Sequence, residues 1–391
     1  MTRPQTPLAL AGLAALLALT ACGGGSLGSD EPAGSAAADS SPVDIGLLVP
    51  TSGVYAPLGE DMANGFRLYL TQKAGKLGGR TVNLQTVDEG ESPDTGVPGA
   101  QRLIQQEVDA VVGIVNSATA LGVRDAFEEA QVPLIVANAG ADAITGERRS
   151  DYVWRTSFSN GGVASALGPH AAETCTSAFL MASDYAAGKE AVAGFERSFT
   201  GAGGKVAGKV LSPFGTTTNY QPFLAQATSS GADCVYSFFA GAEAVAFTRQ
   251  YRELGLKPTL LASGFQTEGG VLTAAGQAAV GIETSLHYSD QLDNPRNREF
   301  VTAYRAAYNE PPTVYAVQAY DAAQVLDKAL AGAADGPAVV KGLQQVGTVD
   351  SPRGSFTFDE GHGPKQAYYL RTVEQKDGAL VNAVRSELTG S

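Results

Sequence analysis

The chain has 391 residues, of which 44% are apolar and 17% charged, with 40 Asp and Glu against 27 Lys and Arg. This composition is typical of a soluble globular protein of two or three domains, and it excludes a charge-rich disordered chain and a disulfide scaffold. A formal net charge of −13 opposes any phosphate backbone, so we expect no nucleic acid partner.

The N-terminus carries the pattern of a secretory leader. Arg3 is followed by the short apolar run Leu8 to Leu19 and then by Leu19-Thr20-Ala21-Cys22. An apolar run of this length is too short for a comfortable membrane span. The Leu-Thr-Ala-Cys stretch resembles the bacterial lipobox, which implies cleavage before Cys22 and attachment of lipid to that cysteine. Loss of Arg3 with residues 1–21 takes the formal charge from −13 to −14.

The next segment, Gly23 to Ser41, consists mainly of Gly, Ser, Ala and Asp and has almost nothing to bury. Such a composition is typical of a flexible tether. We therefore expect residues 22–42 to contain the lipidated cysteine and its tether, and the folded body to begin near Val43.

From Val43 onward, short β-branched runs alternate with helical patterns. The first series has strands at Val43 to Val49, Thr81 to Val87, Asp109 to Val115 and Val132 to Val136, with helices over Met62 to Gln72, Gly99 to Gln106 and Ala118 to Ala130. The second series has strands at Ser177 to Met181, Lys205 to Leu211, Asp233 to Phe238 and Thr259 to Leu261, with helices near Gly188 to Phe199, Pro222 to Ser229 and Ala242 to Leu254. Alternation of this kind builds parallel sheets with crossover helices, so the sequence predicts two α/β lobes.

Three loops that follow predicted strands carry small and hydroxyl residues. They are Pro50-Thr51-Ser52-Gly53-Val54-Tyr55-Ala56-Pro57-Leu58-Gly59, Gly113-Ile114-Val115-Asn116-Ser117-Ala118 and Ala137-Asn138-Ala139-Gly140-Ala141. In an open parallel sheet the ligand lies at the carboxyl ends of the strands, and exposed helix N-terminal amides there are donors to an anion. Glycine and serine also make ordinary tight turns, but three such loops at one edge favour a binding site.

Several motifs follow one another in a specific order and spacing. They are Ile45-Gly46-Leu47-Leu48-Val49-Pro50-Thr51-Ser52-Gly53, then Leu58-Gly59 and Asn64-Gly65, then Trp154-Arg155-Thr156, and finally Asp184-Tyr185-Ala186-Ala187-Gly188. Together they resemble the leucine/isoleucine/valine-binding branch of the type I solute-binding proteins that serve ABC importers. The resemblance extends from Val43 to the end of the chain. It implies the type I periplasmic-binding-protein fold, with two doubly wound parallel-sheet lobes joined by a hinge, and ABC permease subunits in the membrane as partners.

The resemblance also implies a set of ligand-binding residues. Ser117 matches the serine that holds the ligand carboxylate. Ala139 and Gly140 match the next loop, whose backbone amide also serves the carboxylate, although the family usually has Thr where Gly140 stands. Tyr185 matches the second-lobe tyrosine that closes over the ligand. The remaining matched positions are Phe239 and Ala240 in the following loop, Leu58 near the ligand side chain, and Gln266 in Gly264-Phe265-Gln266.

Gln266 stands where the family has an acidic residue that pairs with the ligand's ammonium. A buried ammonium without a countercharge is strongly unfavourable, whereas a neutral amide bonds a hydroxyl, a carbonyl or a carboxylate. We therefore expect a small carboxylate, aromatic or branched-chain amino acid-like, with an amide or urea-type solute as the alternative. Aromatic walls for a flat ligand are available in Tyr55, Tyr185, Phe239 and Phe265, although packing within the lobes explains each of them equally well.

Signatures of catalysis are missing from the sequence. The histidines His170, His287 and His362 belong to no HExxH motif, and there is no GxSxG elbow, Walker loop or dinucleotide-binding GxGxxG. The acidic run Asp88-Glu89-Gly90-Glu91-Ser92-Pro93-Asp94 lacks EF-hand spacing and suits a solvated loop. We expect no enzymatic activity, no metal and no cofactor. A sensor that presents its solute to a separate receptor remains an alternative to a role in import.

The predicted organisation has four parts and places the protein outside the cytoplasm, lipid-anchored to the cell membrane. These parts are a leader at 1–21, the lipidated Cys22 and tether at 22–42, a first lobe at 43–157 plus about 290–365, and a second lobe at 158–289 plus about 366–388.

The two remaining cysteines, Cys175 and Cys234, lie at the amino-terminal side of the first and third strands of the second series. In a flavodoxin-like strand order these strands are neighbours, about 4.8 Å apart, a spacing that a disulfide tolerates. We expect a bridge, with two buried thiols as the alternative.

Overall fold

The computed structural model describes residues 41–388, so the predicted leader, Cys22 and most of the tether lie outside the described residues. The strands, in chain order, are β1 (Val43–Val49), β2 (Lys76–Leu77), β3 (Arg80–Asp88), β4 (Ala110–Gly113), β5 (Leu134–Val136), β6 (Val153–Arg155), β7 (Ser177–Asp184), β8 (Lys205–Pro213), β9 (Cys234–Phe238), β10 (Thr259–Ser263), β11 (Glu283–Leu286), β12 (Thr357–Phe358), β13 (Pro364–Lys365), β14 (Tyr368–Lys376) and β15 (Ala379–Leu388). The helices are α1 (Ala56–Gln72), α2 (Pro93–Gln105), α3 (Ser117–Ala130), α4 (Asn160–Thr174), α5 (Ala186–Gly201), α6 (Gln221–Ser230), α7 (Gly241–Glu253), α8 (Gly269–Ala275), α9 (Pro295–Tyr308), α10 (Val314–Ala329) and α11 (Gly336–Gln344).

Two mainly parallel sheets confirm the predicted two-lobed α/β fold. The first has the order β2-β3-β1-β4-β5-β6, and the second has the order β15-β14-β11-β10-β9-β7-β8. Without the strands β2, β14 and β15, both sheets follow the flavodoxin-like order 2-1-3-4-5. This order brings the carboxyl ends of β1, β4 and β5 together at one edge of the first sheet. It does the same for β7, β9 and β10 in the second.

The C-terminal part of the chain packs against the first sheet and adds strands to the second. Helix α10 packs against α1 and β4 of the first sheet, whereas β14 pairs antiparallel with β11 of the second, and β15 pairs with β14. The lobe boundaries at 157, 290 and 365 stay a prediction. The observation that bears on them is that α10 packs on the first sheet, whereas β14 and β15 belong to the second. Within residues 41–388, no helix has the length and apolar character needed to cross a membrane.

Helix α1 begins earlier than the sequence predicts. The predicted helix starts at Met62, but the observed helix starts at Ala56, so Leu58 lies in its first turn rather than in a loop. Pro57 is tolerated there because amides in the first helical turn have no acceptor within the helix, so proline loses no hydrogen bond by lacking one. Gly59 is required at this point, since a Cβ would lie 1.8 Å from the carbonyl oxygen of Pro50.

The predicted disulfide between Cys175 and Cys234 is present, with the two Cα atoms 6.0 Å apart. The register explains this, because Ala178 of β7 pairs with Cys234 of β9 in parallel. The bridge therefore joins α4, at whose C-terminus Cys175 lies, to the amino end of the central strands of the second sheet.

Three segments cross between the sheets, at 156–159, 287–294 and 366–367. Gln318 of α10 links two of them, since its carbonyl accepts a hydrogen bond from Thr156 Oγ1 at 3.1 Å and its Nε2 lies 2.9 Å from His287 Nε2. Gln318 Oε1 accepts in turn from Asn138 Nδ2 at 3.0 Å. Burial lowers the pKa of His287 well below its usual value, which keeps its ring neutral and able to accept from Gln318.

Candidate functional site

The loops after β4 and β5 meet at the N-terminus of α3. Asn116 caps this helix, because its side-chain oxygen accepts a hydrogen bond from the Thr119 amide at 3.0 Å. Ser117 is the first helical residue, and its Oγ accepts a hydrogen bond from the Ala141 amide at 3.1 Å. The predicted loops at Ser117 and Gly140 are therefore in contact, beside the amides of the first helical turn, which have no partner within the helix.

The second of these loops contains a buried backbone amide. Ala139 donates its amide hydrogen to the carbonyl of Ile114 at 2.8 Å, and the carbonyl of Gly140 accepts from the Asn160 amide at 2.8 Å. Over residues 41–388 the Gly140 amide itself has no acceptor, although Gly140 is buried. A buried amide without a partner costs free energy, so an acceptor atom supplied by a ligand is favoured at this position.

A buried positive charge lies behind the same loop. Arg155 is 3% exposed, and its Nη1 donates a hydrogen bond to the carbonyl of Ala141 at 2.8 Å. Burial lowers the pKa of Arg155 to about 10, so its guanidinium stays charged at neutral pH. In the sequence this arginine is only part of the Trp154-Arg155-Thr156 motif. In the structure its guanidinium bonds the carbonyl of Ala141, the residue that directly follows Gly140.

The glycine at position 140, where the family usually has threonine, has a packing reason. A Cβ on Gly140 would lie 2.4 Å from Cε2 of Phe158 and 2.6 Å from Oδ1 of Asn160. The ring of Phe158 packs at 4.4 Å against Phe265, which lies 6.3 Å from Tyr315 between ring centroids. These three side chains, Phe158, Phe265 and Tyr315, form what we call the aromatic floor.

Only part of the aromatic floor was predicted. Phe265 was among the four aromatic candidates for walls of the site, whereas Phe158 and Tyr315 were missed. Phe158 comes three residues after Arg155, at the first crossing between the sheets, and that position is the one signal that could have indicated it. Tyr315 lies inside the buried helix α10, where the sequence offers no signal for a ligand contact.

Tyr185 directly precedes α5 at the carboxyl end of β7. Its ring stacks on Phe214 with a centroid distance of 4.3 Å and lies 6.2 Å from Phe238. The pKa of Tyr185 is raised by burial and by its proximity to Tyr55 and Glu243. Because Tyr55 follows β1 of the first sheet, Tyr185 and Tyr55 approach each other from different lobes.

Two of the predicted ligand contacts have their side chains inside the second lobe. Phe239 is 1% exposed and packs against Phe247 and Tyr220. The amide of Gln266 is buried, where its Oε1 accepts from Ser237 Oγ at 3.0 Å and its Nε2 donates to Thr248 Oγ1 at 3.4 Å. The structure brings neither side chain onto the loops of Ser117 and Gly140, and their contact with a ligand stays a prediction. Ala240, at the N-terminus of α7, is partly exposed.

Leu58 lines a cavity of about 500 Å³ between the lobes. Its walls come from the first turns of α1, from one face of α7 and from the segment at Glu268 to Val271, and Tyr315 of the aromatic floor lies in its lining. Leu58 and Tyr315 of the aromatic floor thus line the same cavity. The lining is mainly apolar, which suits contact with the apolar part of a solute.

The acidic run at the end of β3 is only in part the solvated loop that the sequence predicted, since Glu91 and Asp94 are exposed but Glu89 is not. Glu89 is fully buried, and its carboxylate accepts from the amides of Val115 and Asn116 at 2.7 and 2.8 Å. Asp88 accepts from the Thr51 amide at 2.7 Å. The run therefore fastens the loop after β1 and the start of α3 to one another. In the described part of the chain, no group of three or more His, Cys, Asp or Glu is arranged to hold a metal ion.

Burial raises the pKa of Glu89 to about 8, and the neighbouring Asp88 carboxylate adds to this effect. The Asp88 carboxyl has a pKa lowered to about 2 despite some burial, because Thr51, Ser52 and Gly90 donate hydrogen bonds to it. Glu89 is thus largely neutral at pH 7, and the site next to Ser117 carries less negative charge than its sequence suggests.

Comparisons with known proteins agree with this architecture. A family model described as periplasmic binding protein matches residues 42–379. A Leu/Ile/Val-binding protein homolog 6 of Brucella melitensis is 29% identical over 351 residues, which are 86% of this chain and 88% of the relative. A solute-binding protein of an ABC transporter from R. palustris, solved in complex with benzoate, is 39% identical with a TM-score of 0.79 over 88% of this chain and 96% of that one. Another from Rhodopseudomonas palustris BisB5, solved with 3,4-dihydroxy benzoic acid, is 30% identical with a TM-score of 0.82 over 88% and 97%.

Fold and relatives together define a type I solute-binding protein of ABC transporters. The chain belongs to the periplasmic binding protein family, and the predicted resemblance to Leu/Ile/Val-binding proteins is confirmed. This family is extracytoplasmic and serves transport rather than catalysis.

Proposed function

We propose that the protein captures a small carboxylate-type solute, with an aromatic acid favoured over a branched-chain amino acid, and delivers it to the permease subunits of an ABC importer. The observation that carries this proposal is the aromatic floor beneath a set of anion-binding groups. Phe158 occupies the space that Gly140 leaves free, so a flat ring has an aromatic surface next to the amide and hydroxyl of the site.

The carboxylate half of the proposal rests on four groups. The Gly140 amide, the Ser117 hydroxyl and the first amides of α3 supply donors, and the charge of Arg155 behind the loop favours an anion. The family resemblance matches Gln266 to the residue that pairs with a ligand ammonium, and a neutral amide at that position favours an acid without an ammonium group. The Gln266 amide bonds Ser237 and Thr248 within the second lobe. The relatives solved with benzoate and with 3,4-dihydroxy benzoic acid support the aromatic half.

Capture proceeds by closure of the two lobes. The loops of the first lobe bind the carboxylate, and the second lobe then closes through Tyr185 and the loops at Phe239 and Gln266. Solute contacts made only in the closed form shift the population toward it, which gives the permease a closed state to recognise. The cleaved and lipidated Cys22 anchors the protein to the outer surface of the cell membrane.

A thermal-shift screen tests the solute class. We expect benzoate and 4-hydroxybenzoate to raise the melting temperature of the protein in proportion to their occupancy, and leucine, benzamide and urea to raise it less. Stabilisation by leucine alone would contradict the aromatic assignment. Stabilisation by benzamide as strong as by benzoate would contradict the carboxylate assignment.

The Ser117→Ala variant tests the anion-binding groups. We expect it to lower the affinity for benzoate about 10- to 100-fold, because hydrogen bonds to charged groups contribute about 1.5 to 3 kcal/mol. The matched control is Ser230→Ala, since Ser230 Oγ donates to the Ala227 carbonyl at the C-terminal end of α6, away from the cleft. Equal affinities of the two variants, measured by calorimetry, would refute the role of Ser117.

Glu89 makes the affinity depend on pH. A solute carboxylate beside Ser117 raises the pKa of Glu89 further, because the two negative charges repel, so the complex binds more protons than the free protein above pH 7. From the pKa of about 8, we expect a constant benzoate affinity between pH 6 and 7 and a loss of about tenfold by pH 9.5. Glu89→Gln should remove this loss, and the same slope in both proteins would exclude Glu89 as its cause.

A further inference from the structure

An exposed aromatic side chain stacks on the tyrosine of the second lobe. Phe214 follows β8 at the same edge of the sheet as Tyr185, and 47% of its surface is exposed. The two ring centroids are 4.3 Å apart, with 20° between the ring planes. Single exposed apolar side chains are common on protein surfaces, but this one stacks on the Tyr185 ring and restricts its plane.

One carboxylate holds both parts of this pair. Glu243 Oε2 accepts a hydrogen bond from Ser183 Oγ at 2.6 Å, and Glu243 Oε1 accepts from the Gly215 amide at 2.9 Å. Ser183 lies two residues before Tyr185, and Gly215 directly follows Phe214. Glu243 lies in the first turn of α7, where the helix dipole stabilises a carboxylate. The segments that carry the two rings are thus fastened to the same side chain.

A third aromatic side chain approaches from the first lobe. The pKa of Tyr55 is raised by burial and by the carboxylates of Glu91, Glu89 and Glu243. We call Tyr55, Tyr185 and Phe214 the aromatic lip.

We propose that Phe214 determines the preference of the site for flat aromatic solutes, and that Glu243 is the positioning residue that holds it against Tyr185. This inference rests on the proposed function of the site. With its plane fixed by Phe214, the Tyr185 ring covers a planar solute in an offset stack, whereas a branched aliphatic acid gains little from a fixed ring plane. Rigid placement of a ring before binding also lowers the entropy cost of closure.

Calorimetry with benzoate and with 3-methylbutanoate, an aliphatic acid, tests the role of Phe214. We expect Phe214→Ala to lower the benzoate affinity about three- to tenfold relative to that for 3-methylbutanoate, and Phe214→Tyr to keep the preference of the unmodified protein. Leu254→Ala is the matched control, because Leu254 is 46% exposed and lies at the far end of α7. It should leave both affinities unchanged.

Two variants of Glu243 separate positioning from charge. Glu243→Ala removes both hydrogen bonds and should lose the aromatic preference as Phe214→Ala does. Glu243→Gln can keep both hydrogen bonds, since its amide oxygen accepts from Gly215 and its amide nitrogen donates to Ser183 Oγ. We therefore expect this variant to keep the aromatic preference although it lacks the charge. Loss of the preference in Glu243→Gln would refute the positioning role.

The outcomes also separate this inference from the function on which it rests. If the unmodified protein binds neither acid, the proposed function and the inference both fall. If it binds benzoate tightly and Phe214→Ala binds with the same preference, the inference alone is wrong. Circular dichroism of each variant verifies that it is folded, and Phe214→Ala provides the test even if Glu243→Ala does not fold.

Discussion

Arg353→Met is expected to lower the free energy of unfolding by about 3 to 5 kcal/mol, because it leaves a buried carboxylate without its partner. Arg353 is 1% exposed, and its Nε lies 2.9 Å from Asp321 Oδ2. Its Nη2 also donates to the carbonyl of Thr156 at 2.6 Å, and its Nη1 donates to Gln366 Oε1 at 2.6 Å. One guanidinium thus ties the first crossing between the lobes to the third.

Urea denaturation followed by circular dichroism measures this loss. The matched control is Arg298→Met, since Arg298 is 60% exposed and pairs with the exposed Asp293, a contact of a kind that contributes at most about 1 kcal/mol. Adding Asp321→Leu to Arg353→Met should recover part of the stability, because the uncompensated charge is then gone. Arg353→Met within 1 kcal/mol of the unmodified protein would mean that the pair does not stabilise the crossing.

Removal of the disulfide is expected to lower the free energy of unfolding by about 4 kcal/mol. In the chain-entropy model this is the contribution of a bridge whose cysteines, Cys175 and Cys234, are 59 positions apart in the sequence. The suitable variant replaces both cysteines by alanine, because both sites are buried and a serine hydroxyl would lack a partner there. Benzoate affinity should change less than about twofold, since the bridge lies at the amino ends of β7 and β9, opposite the ligand edge.

The measurement compares urea midpoints of the oxidised protein, the reduced protein and the double alanine variant. The reduced protein and the variant should agree with each other, and both should lie below the oxidised protein. A variant as stable as the oxidised protein would show that the bridge adds nothing to the stability of the second lobe. A loss of benzoate binding would contradict its placement away from the site.

Local patterns in the sequence are sufficient to predict the alternating strands and helices of both lobes. The period of the apolar residues determines whether a segment forms a strand or a helix, and parallel strands joined by helices take few orders. The flavodoxin-like order then predicts that Cys175 and Cys234 lie beside each other at the amino-terminal side of neighbouring strands. The C-terminal elements were not predicted. In α10, 14 of the 16 residues are buried, so the helix has no polar face and its sequence lacks the alternation of apolar and polar residues that indicates a helix.

The family could be predicted from the sequence alone, because the motifs that carry the resemblance, among them those around Ser117 and Tyr185, are short and contiguous. Tertiary structure alone decided the chemistry around them. The aromatic floor combines residues 158, 265 and 315, and no local pattern relates segments so far apart along the chain. The acidic run at Asp88 looked solvated because charged residues usually are, yet the amides of Val115 and Asn116 offered Glu89 partners that only the folded chain brings within reach. Burial and long-range hydrogen bonds depend on packing, and packing is a property of the whole fold.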